Sequence, residues 1–328
     1  MSSYSILLCI ADTTYQAYNA WGGRSLYSTP QAVTVSFDRP YDNQNSIPVG
    51  AGELPFIVWA ERKGIALEYC TSADLHAGTI LSNYSLLLSV GHDEYWSKQM
   101  RDYVESYAAI GGSVCFFSAN NVWWQIRFAD DLRTMVCYKY VAPDPIQDPA
   151  LGGPTTEWYT TGRPPNSLVG AGFLNGAGWW GNVPQSGPRL RGYTVQNADH
   201  WVYAGTGLLN GSVFGQGDTV NNAIMGYETD AAVYAFDSTG VAQPTGADGS
   251  PPDFTILGYA DLTDWPNDGN YGQPGYATMG LCERAGVVFT AGTVNWAAGL
   301  RPEAAGGPVE TITLNLLTQL APAPASTP

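Results

Sequence analysis

A histidine and two carboxylates directly follow a continuous apolar run in the first third of the sequence. The run covers 84–90, and Gly91-His92-Asp93-Glu94 comes next. Placing an ionisable ring at the end of a buried strand costs free energy unless the ring is paired or functional. Imidazole and carboxylate groups can also move protons during catalysis, so His92 and Glu94 are candidate catalytic residues. As an alternative, Asp93 and Glu94 could stabilise the start of the helix predicted near Ser97.

Polar side chains also follow other predicted strands. Tyr15 and Tyr18 come after the run 5–11, and Asn120 comes after the run 111–119. Open α/β sheets bind ligands beyond the carboxyl ends of their strands, so we expect these residues to share one crevice with the histidine. Taken singly, each also has a structural explanation, because phenols can pack in a core and asparagine tolerates tight turns.

The inventory of reactive groups narrows the chemistry. The turn after 84–90 carries neither the nucleophilic cysteine of amidotransferases nor the serine of α/β-hydrolases, and HExxH and GKS/T motifs are absent. The five cysteines have no CxxC spacing, which argues against a disulfide framework and a thiolate zinc site. Oxygen donors are plentiful, and they favour hard cations, including ferric iron. A metal-free hydrolase that uses His92 and Glu94, and a non-catalytic carbohydrate- or ligand-binding module, remain as alternatives.

The amino-acid composition limits the classes of partner that this protein is expected to bind. The formal net charge of −15 argues against nucleic acid and anionic membranes. No stretch of the sequence approaches the roughly 18 consecutive apolar residues of a membrane span. We therefore expect a soluble cytoplasmic protein. A small molecule is the expected substrate, and both a homo-oligomer and a companion subunit stay open.

The elements that would hold these residues alternate along the first half of the chain. Strand-like runs at 5–11, 84–90 and 111–119 enclose helical patterns at 52–64 and 97–112. This order predicts βαβ units, an α/β fold and a parallel sheet with helices on both faces. From about 141 the chain is rich in Gly, Pro and aromatic residues. The predicted organisation is an α/β core (1–140), a loop- and strand-rich insert over the site (141–280), a final core strand and helix (281–320) and a disordered tail (321–328).

Five ordered motifs together resemble one family. The C-terminal catalytic domain of the N,N-dimethylformamidase large (beta) subunit is similar to this chain in "TTYQAYNAWGGRSLY", "VGHDEYWSKQMRDYVE", "GGSVCFFSANNVWWQIR", "MGYETD" and "AGTVNWAAGL". The resemblance implies a glutamine-amidotransferase-like (flavodoxin-like) fold that lacks the cysteine. It also implies metal-dependent hydrolysis of a small amide or related C–N bond.

The same resemblance implies the residues of the site. The family holds one Fe(III) ion through two tyrosines and a glutamate. Matching the motifs gives Glu94 and Tyr18 as metal ligands, with Tyr15 as the less favoured register. Three further matches are His92 as the acid–base residue, Asn120 as the oxyanion donor and Glu228 as the acid that orients the histidine.

The second tyrosine ligand is the open question. In longer relatives it lies upstream of the first core strand, and the resemblance offers no counterpart in this sequence. Tyr4, Tyr27 and Tyr95 are the candidates to replace it. We expect the isolated chain to bind ferric iron weakly unless one of these three takes the position.

Overall fold

The fold is rich in short strands. A computed structural model describes residues 5–42, 52–179, 190–217, 222–265 and 275–321. The strands are β1 (Ile6–Ile10), β2 (Thr34–Ser36), β3 (Glu68–Thr71), β4 (Leu86–His92), β5 (Tyr95–Ser97), β6 (Ser113–Ala119), β7 (Trp124–Ala129), β8 (Thr134–Val136), β9 (Gly172–Gly178), β10 (Tyr193–Val195), β11 (Val213–Phe214), β12 (Glu228–Ala231), β13 (Tyr234–Phe236), β14 (Ala242–Pro244), β15 (Phe254–Asp261), β16 (Tyr276–Glu283) and β17 (Val287–Thr290). The α-helices are α1 (Asp12–Tyr18), α2 (Leu54–Arg62), α3 (Ser72–Ala77), α4 (Lys98–Ala109), α5 (Asn166–Val169) and α6 (Pro308–Leu320).

A nine-stranded mixed sheet forms the centre of the molecule. Its strand order is β11-β10-β15-β16-β17-β6-β4-β1-β3. The strands from β3 to β17 pair in parallel, whereas those from β17 to β11 pair antiparallel. A four-stranded sheet, β2-β8-β7-β5, and the pairs β9–β12 and β13–β14 lie outside it.

The predicted fold class is wrong. A glutamine-amidotransferase-like (flavodoxin-like) parallel sheet with helices on both faces does not describe this β-rich fold, which has six α-helices in its described part. The reason lies in the connections. β15, β16 and β17 follow one another, and the link from β16 to β17 has only three residues. A parallel connection needs a crossover of a dozen or more residues, so a short link makes neighbouring strands antiparallel.

Individual strands and helices were predicted more successfully than the fold class. The apolar runs at 5–11, 84–90 and 111–119 contain β1, β4 and β6, and the helical patterns at 52–64 and 97–112 contain α2 and α4. Side chains of these strands alternate between two apolar clusters, because successive residues of a strand point to opposite faces. Both faces of the strands that lead to the site are therefore packed.

Two other expectations concern the chain as a whole. None of the described helices combines the length and apolar content that crossing a membrane would require. Nearly all of the predicted tail, 322–328, lies outside the described residues. The predicted boundaries at 140 and 280, which separate the core, the insert and the final segment, stay predictions.

Candidate functional site

The turn after β4 places His92 and Glu94 at the end of the parallel strands. Gly91 has φ +86°, and a Cβ added there would lie 2.7 Å from the Cα of Gly52. Only glycine fits both the left-handed backbone and this close approach. Thr14 on α1 then fixes the next part of the turn, since its hydroxyl accepts the backbone N–H of Glu94 at 2.9 Å.

Glu94 is the centre of the site. Its carboxylate is buried and accepts hydrogen bonds from three side chains. The Tyr18 hydroxyl donates at 2.9 Å, the Tyr27 hydroxyl donates at 3.0 and 3.1 Å, and Trp124 Nε1 donates at 2.8 Å. The rings of Tyr18 and Tyr27 stack with their centroids 4.1 Å apart. Two phenol oxygens therefore converge on one carboxylate.

This donor set suits a hard trivalent cation. Burial, and then the charge of Glu94, raises the pKa of the Tyr18 phenol well above its usual value of 10. The pKa of the Tyr27 phenol shifts in the same direction, because its hydroxyl lies against Glu94 although the residue is 45% exposed. Without a cation both phenols keep their protons and donate them to Glu94, whereas a cation at the same oxygens would favour the phenolates. No group of three or more His, Cys, Asp or Glu side chains in the described ranges could hold a metal ion. A metal bound here would therefore need the tyrosines.

The candidates for the second tyrosine differ in their contacts with Glu94. Tyr27 contacts Glu94 directly, and Tyr95 contacts the Tyr27 hydroxyl at 2.7 Å. Tyr4 lies outside the described residues. Tyr15, the other register considered for the first ligand, instead donates a short hydrogen bond to Glu53.

Lys139 is a site residue that the sequence reasoning missed. Its Nζ lies 3.5 Å from the centroid of the Tyr27 ring and 4.6 Å from that of Trp124. Burial lowers the pKa of this lysine, although the Glu94 charge opposes the shift. A cation over an aromatic face is stabilised by the ring, so Lys139 can remain charged beside the phenols. Its position on an irregular loop, with φ +50°, gave no sequence signal.

His92 lies between two carboxylates. Its Nε2 is 2.8 Å from Glu228 Oε2 and 3.7 Å from Glu94 Oε2. Burial alone would lower the pKa of the ring, but Glu228 and then Glu94 outweigh burial and raise it to about 9. The ring therefore carries a proton at neutral pH and is held beside Glu228 by charge attraction, although Nε2 has no hydrogen-bond partner of good geometry among the described residues.

Asn120 sits in a strained turn after β6. Its φ is +49°, in the left-handed region that asparagine tolerates better than most residues. Asp230 holds the turn by accepting the backbone N–H groups of Asn120 at 2.8 Å and Asn121 at 3.2 Å. Asn120 Nδ2 donates to Glu228 at 3.4 Å, and its Oδ1 is buried with no partner in the described part of the chain. The amide oxygen is thus available to a ligand.

These groups open onto one cavity of about 450 Å³. The structure brings Tyr18, Glu94, Asn120 and Glu228 into its walls, with His92 beside them. The remaining walls are largely aromatic and come from Tyr27, Trp123, Trp124, Tyr140, Phe173 and Tyr227. A concave, aromatic cavity with a few convergent polar groups is typical of a small-molecule site.

Comparisons with known proteins point to one family. The profile of the family described as "N,N-dimethylformamidase beta subunit-like, C-terminal" matches residues 2–308. The N,N-dimethylformamidase beta subunit of Paracoccus aminophilus is 22% identical over 291 residues, which cover 81% of this chain and 36% of that protein. The N,N-dimethylformamidase beta subunit of Alcaligenes sp is 22% identical over 325 residues, which cover 90% of this chain and 40% of that protein. The chain therefore spans about two fifths of the length of these curated relatives.

Proposed function

Because this chain belongs to the N,N-dimethylformamidase beta subunit-like, C-terminal family, we propose that it carries the active site of an amide hydrolase. The observation that carries the proposal is the convergence of Tyr18, Tyr27 and Glu94 beside His92 in one cavity. The substrate class is a small amide or a related C–N bond, which a cavity of about 450 Å³ can enclose.

Fe(III) is the proposed cofactor, and Tyr18, Tyr27 and Glu94 are the residues that would hold it. The convergence of two phenols on a buried carboxylate supports this assignment. When bound, such an ion supplies Lewis-acid chemistry and makes a water more acidic. Trp124, which donates to Glu94, and Tyr95, which contacts Tyr27, keep the ligating side chains in place.

The proton transfers are assigned to His92 and Glu228. Transfer of the ring proton from His92 Nε2 to Glu228 Oε2, 2.8 Å away, would leave the ring free to take a proton from the attacking water. The ring, now charged by the proton from water, passes that proton to the amine that leaves, and the proton on Glu228 then returns to His92. Asn120 lines the cavity, and its unused Oδ1 can accept a hydrogen bond from the attacking water, whereas the oxyanion role requires Nδ2 to turn from Glu228 toward the substrate.

The test is the release of amine from N,N-dimethylformamide and from larger amides by purified protein supplied with ferric iron. We expect turnover in the wild type and a loss of roughly 10²–10⁴-fold in His92→Ala, the range typical of general acid–base catalysis. Bound metal and melting temperature should change little in this variant, because His92 is assigned to proton transfer.

His76→Ala is the matched control. This histidine belongs to α3 and contacts Ser97, and it is not among the described residues that line the cavity at Glu94. Full activity in His92→Ala, or an equal loss in both variants, would contradict the assignment of proton transfer to His92. Binding of oligosaccharide without hydrolysis of any amide would instead favour a non-catalytic binding module.

The beta-subunit name of both relatives supports one further part of the proposal. We extend it to this chain and expect activity to rise when a companion subunit is present. Co-purification with a partner chain from the source cells, followed by the amine-release assay with and without that chain, tests this extension.

A further inference from the structure

A second cavity of about 360 Å³ lies beside the β13–β14 pair. In the described part of the chain its lining shares no residue with the cavity at Glu94. Its walls are formed by Asn175, Ala232, Val233, Tyr234, Phe236, Tyr259, Asp261 and Tyr276. Four of these eight side chains are aromatic and one is acidic.

Strand geometry explains why these side chains meet. Tyr234 and Phe236 are two residues apart on β13, and Tyr259 and Asp261 are two residues apart on β15. Residues two apart on a strand point to the same face. Tyr276 on β16 lies directly opposite Asp261 in the antiparallel register. Three strands therefore present their aromatic residues to one space.

The rings meet at steep angles and do not form a flat platform. Tyr234 meets Phe236 at 80° and Tyr276 at 73°, with centroids 5.6 Å apart in both pairs. Phe236 meets Tyr259 at 73° and 5.3 Å. Rings at steep angles to one another line the cavity from several directions, and a methylated ammonium ion binds over aromatic faces arranged in this way.

The electrostatic character of the cavity is negative. Asp261 Oδ1 accepts hydrogen bonds from the backbone and hydroxyl of Thr263, at 3.0 and 2.6 Å, and Oδ2 has no hydrogen-bond donor among the described residues. The described lining contains no lysine, arginine or histidine. Burial, and then the neighbouring phenols and Asp261, raises the pKa of the Tyr234 phenol. A negative field that reaches Tyr234 favours a cationic occupant.

We propose that this second cavity binds a small N-methylated ammonium ion. The faces of Tyr234, Phe236, Tyr259 and Tyr276 would surround its methyl groups, and Asp261 would neutralise its charge. Each ring face attracts a cation through its quadrupole, and the carboxylate adds direct charge attraction. The inference does not depend on the proposed hydrolysis, although an N-methylated amide would release an ion of this class.

The experiment is a calorimetric titration of the wild type with tetramethylammonium chloride and with choline, at constant ionic strength. The neutral comparison is 3,3-dimethylbutan-1-ol, which has the shape of choline without its charge. We expect saturable binding of both cations and binding of the neutral alcohol weaker by roughly 3- to 30-fold, the contribution of cation–π attraction.

Three variants locate the site. Asp261→Asn keeps the shape of the side chain and removes its charge, and Phe236→Leu removes a ring that is already 52% exposed. Both should weaken cation binding by roughly 3-fold or more. Tyr69→Leu, which removes an exposed ring from β3 at the far edge of the sheet, is the matched control and should bind as the wild type does.

Several results would overturn the proposal. One is the absence of saturable cation binding at millimolar concentration in the wild type. A second is equal affinity for choline and 3,3-dimethylbutan-1-ol, which would make the cavity merely apolar. A third is unchanged cation affinity in both Asp261→Asn and Phe236→Leu, which would place the binding site elsewhere on the protein.

Discussion

Replacing Glu53 with glutamine should make the stability of this protein less dependent on pH. Glu53 directly precedes α2 and is only 1% exposed. It accepts a short hydrogen bond from the Tyr15 hydroxyl and a longer one from the Ala11 backbone N–H at 3.4 Å. Burial is the largest influence on its carboxyl group, and together with the nearby Asp93 charge it outweighs these hydrogen bonds. The net result raises the pKa of Glu53 from 4.5 to about 7.

The sign and size of the effect follow from that pKa. The folded state binds the Glu53 proton more tightly than the unfolded state does. The resulting stability is complete below about pH 4.5 and is lost as the pH rises through about 7. A pKa difference of roughly 2.5 units, from about 7 minus 4.5, corresponds to about 3 kcal/mol of unfolding free energy. Glutamine stays neutral at every pH, so the variant lacks this loss.

The assay is urea unfolding followed by tryptophan fluorescence at pH 5, 6, 7 and 8. Relative to the wild type, Glu53→Gln should gain roughly 2 to 3 kcal/mol of unfolding free energy between pH 5 and 8. Glu61→Gln, an exposed position on α2, is the matched control for the loss of one carboxylate. Parallel pH profiles for the wild type and Glu53→Gln would refute the reasoning that burial raises the pKa of Glu53.

Three further predictions concern the positioning of the site and can be measured by chemical denaturation and the amine-release assay. Asp230→Ala should lower the free energy of unfolding by about 1–3 kcal/mol for each buried N–H that loses its acceptor, and an unchanged unfolding midpoint would contradict this role. Gly91→Ala should destabilise the fold by at least about 1–2 kcal/mol, because it forces a Cβ into left-handed backbone and against Gly52. Wild-type stability in that variant would show that the turn after β4 can relax. Tyr95→Phe, which removes the contact with the Tyr27 hydroxyl, should lower activity more than stability; a loss of stability alone would make Tyr95 a packing residue.

The sequence was most informative where the chain is locally regular. Continuous apolar runs predicted β1, β4 and β6, because a strand packed on both faces needs apolar residues throughout. The residues that follow these strands were therefore identifiable as candidate site residues. The order and direction in which the strands pair could not be predicted in the same way. Short strands in the Gly- and Pro-rich second half gave weak patterns, and their antiparallel connections made the predicted fold class wrong.

Contacts between loops that are distant in sequence could not be predicted either. Tyr27 is 67 residues from Glu94 in sequence and lies on an irregular segment, so nothing local distinguished it from Tyr4 or Tyr95. Lys139 likewise reaches the Tyr27 ring from a loop that carries no periodic pattern. Such contacts depend on how the strands are arranged in the sheet, and only the assembled fold specifies them.

The central claim is that two tyrosines and Glu94 form a ferric iron site, and the most direct measurement is the iron content and visible spectrum of the purified chain. We expect stoichiometric ferric iron and a phenolate-to-iron absorption band in the wild type. The band should weaken or shift in Tyr18→Phe and Tyr27→Phe, and iron should be lost in Glu94→Ala, because each change removes an anionic donor. Tyr15→Phe, whose hydroxyl contacts Glu53 instead, should keep both iron and band. A wild type without iron after incubation with ferric salt, or unchanged iron and spectrum in all the variants of Tyr18, Tyr27 and Glu94, would contradict the claim.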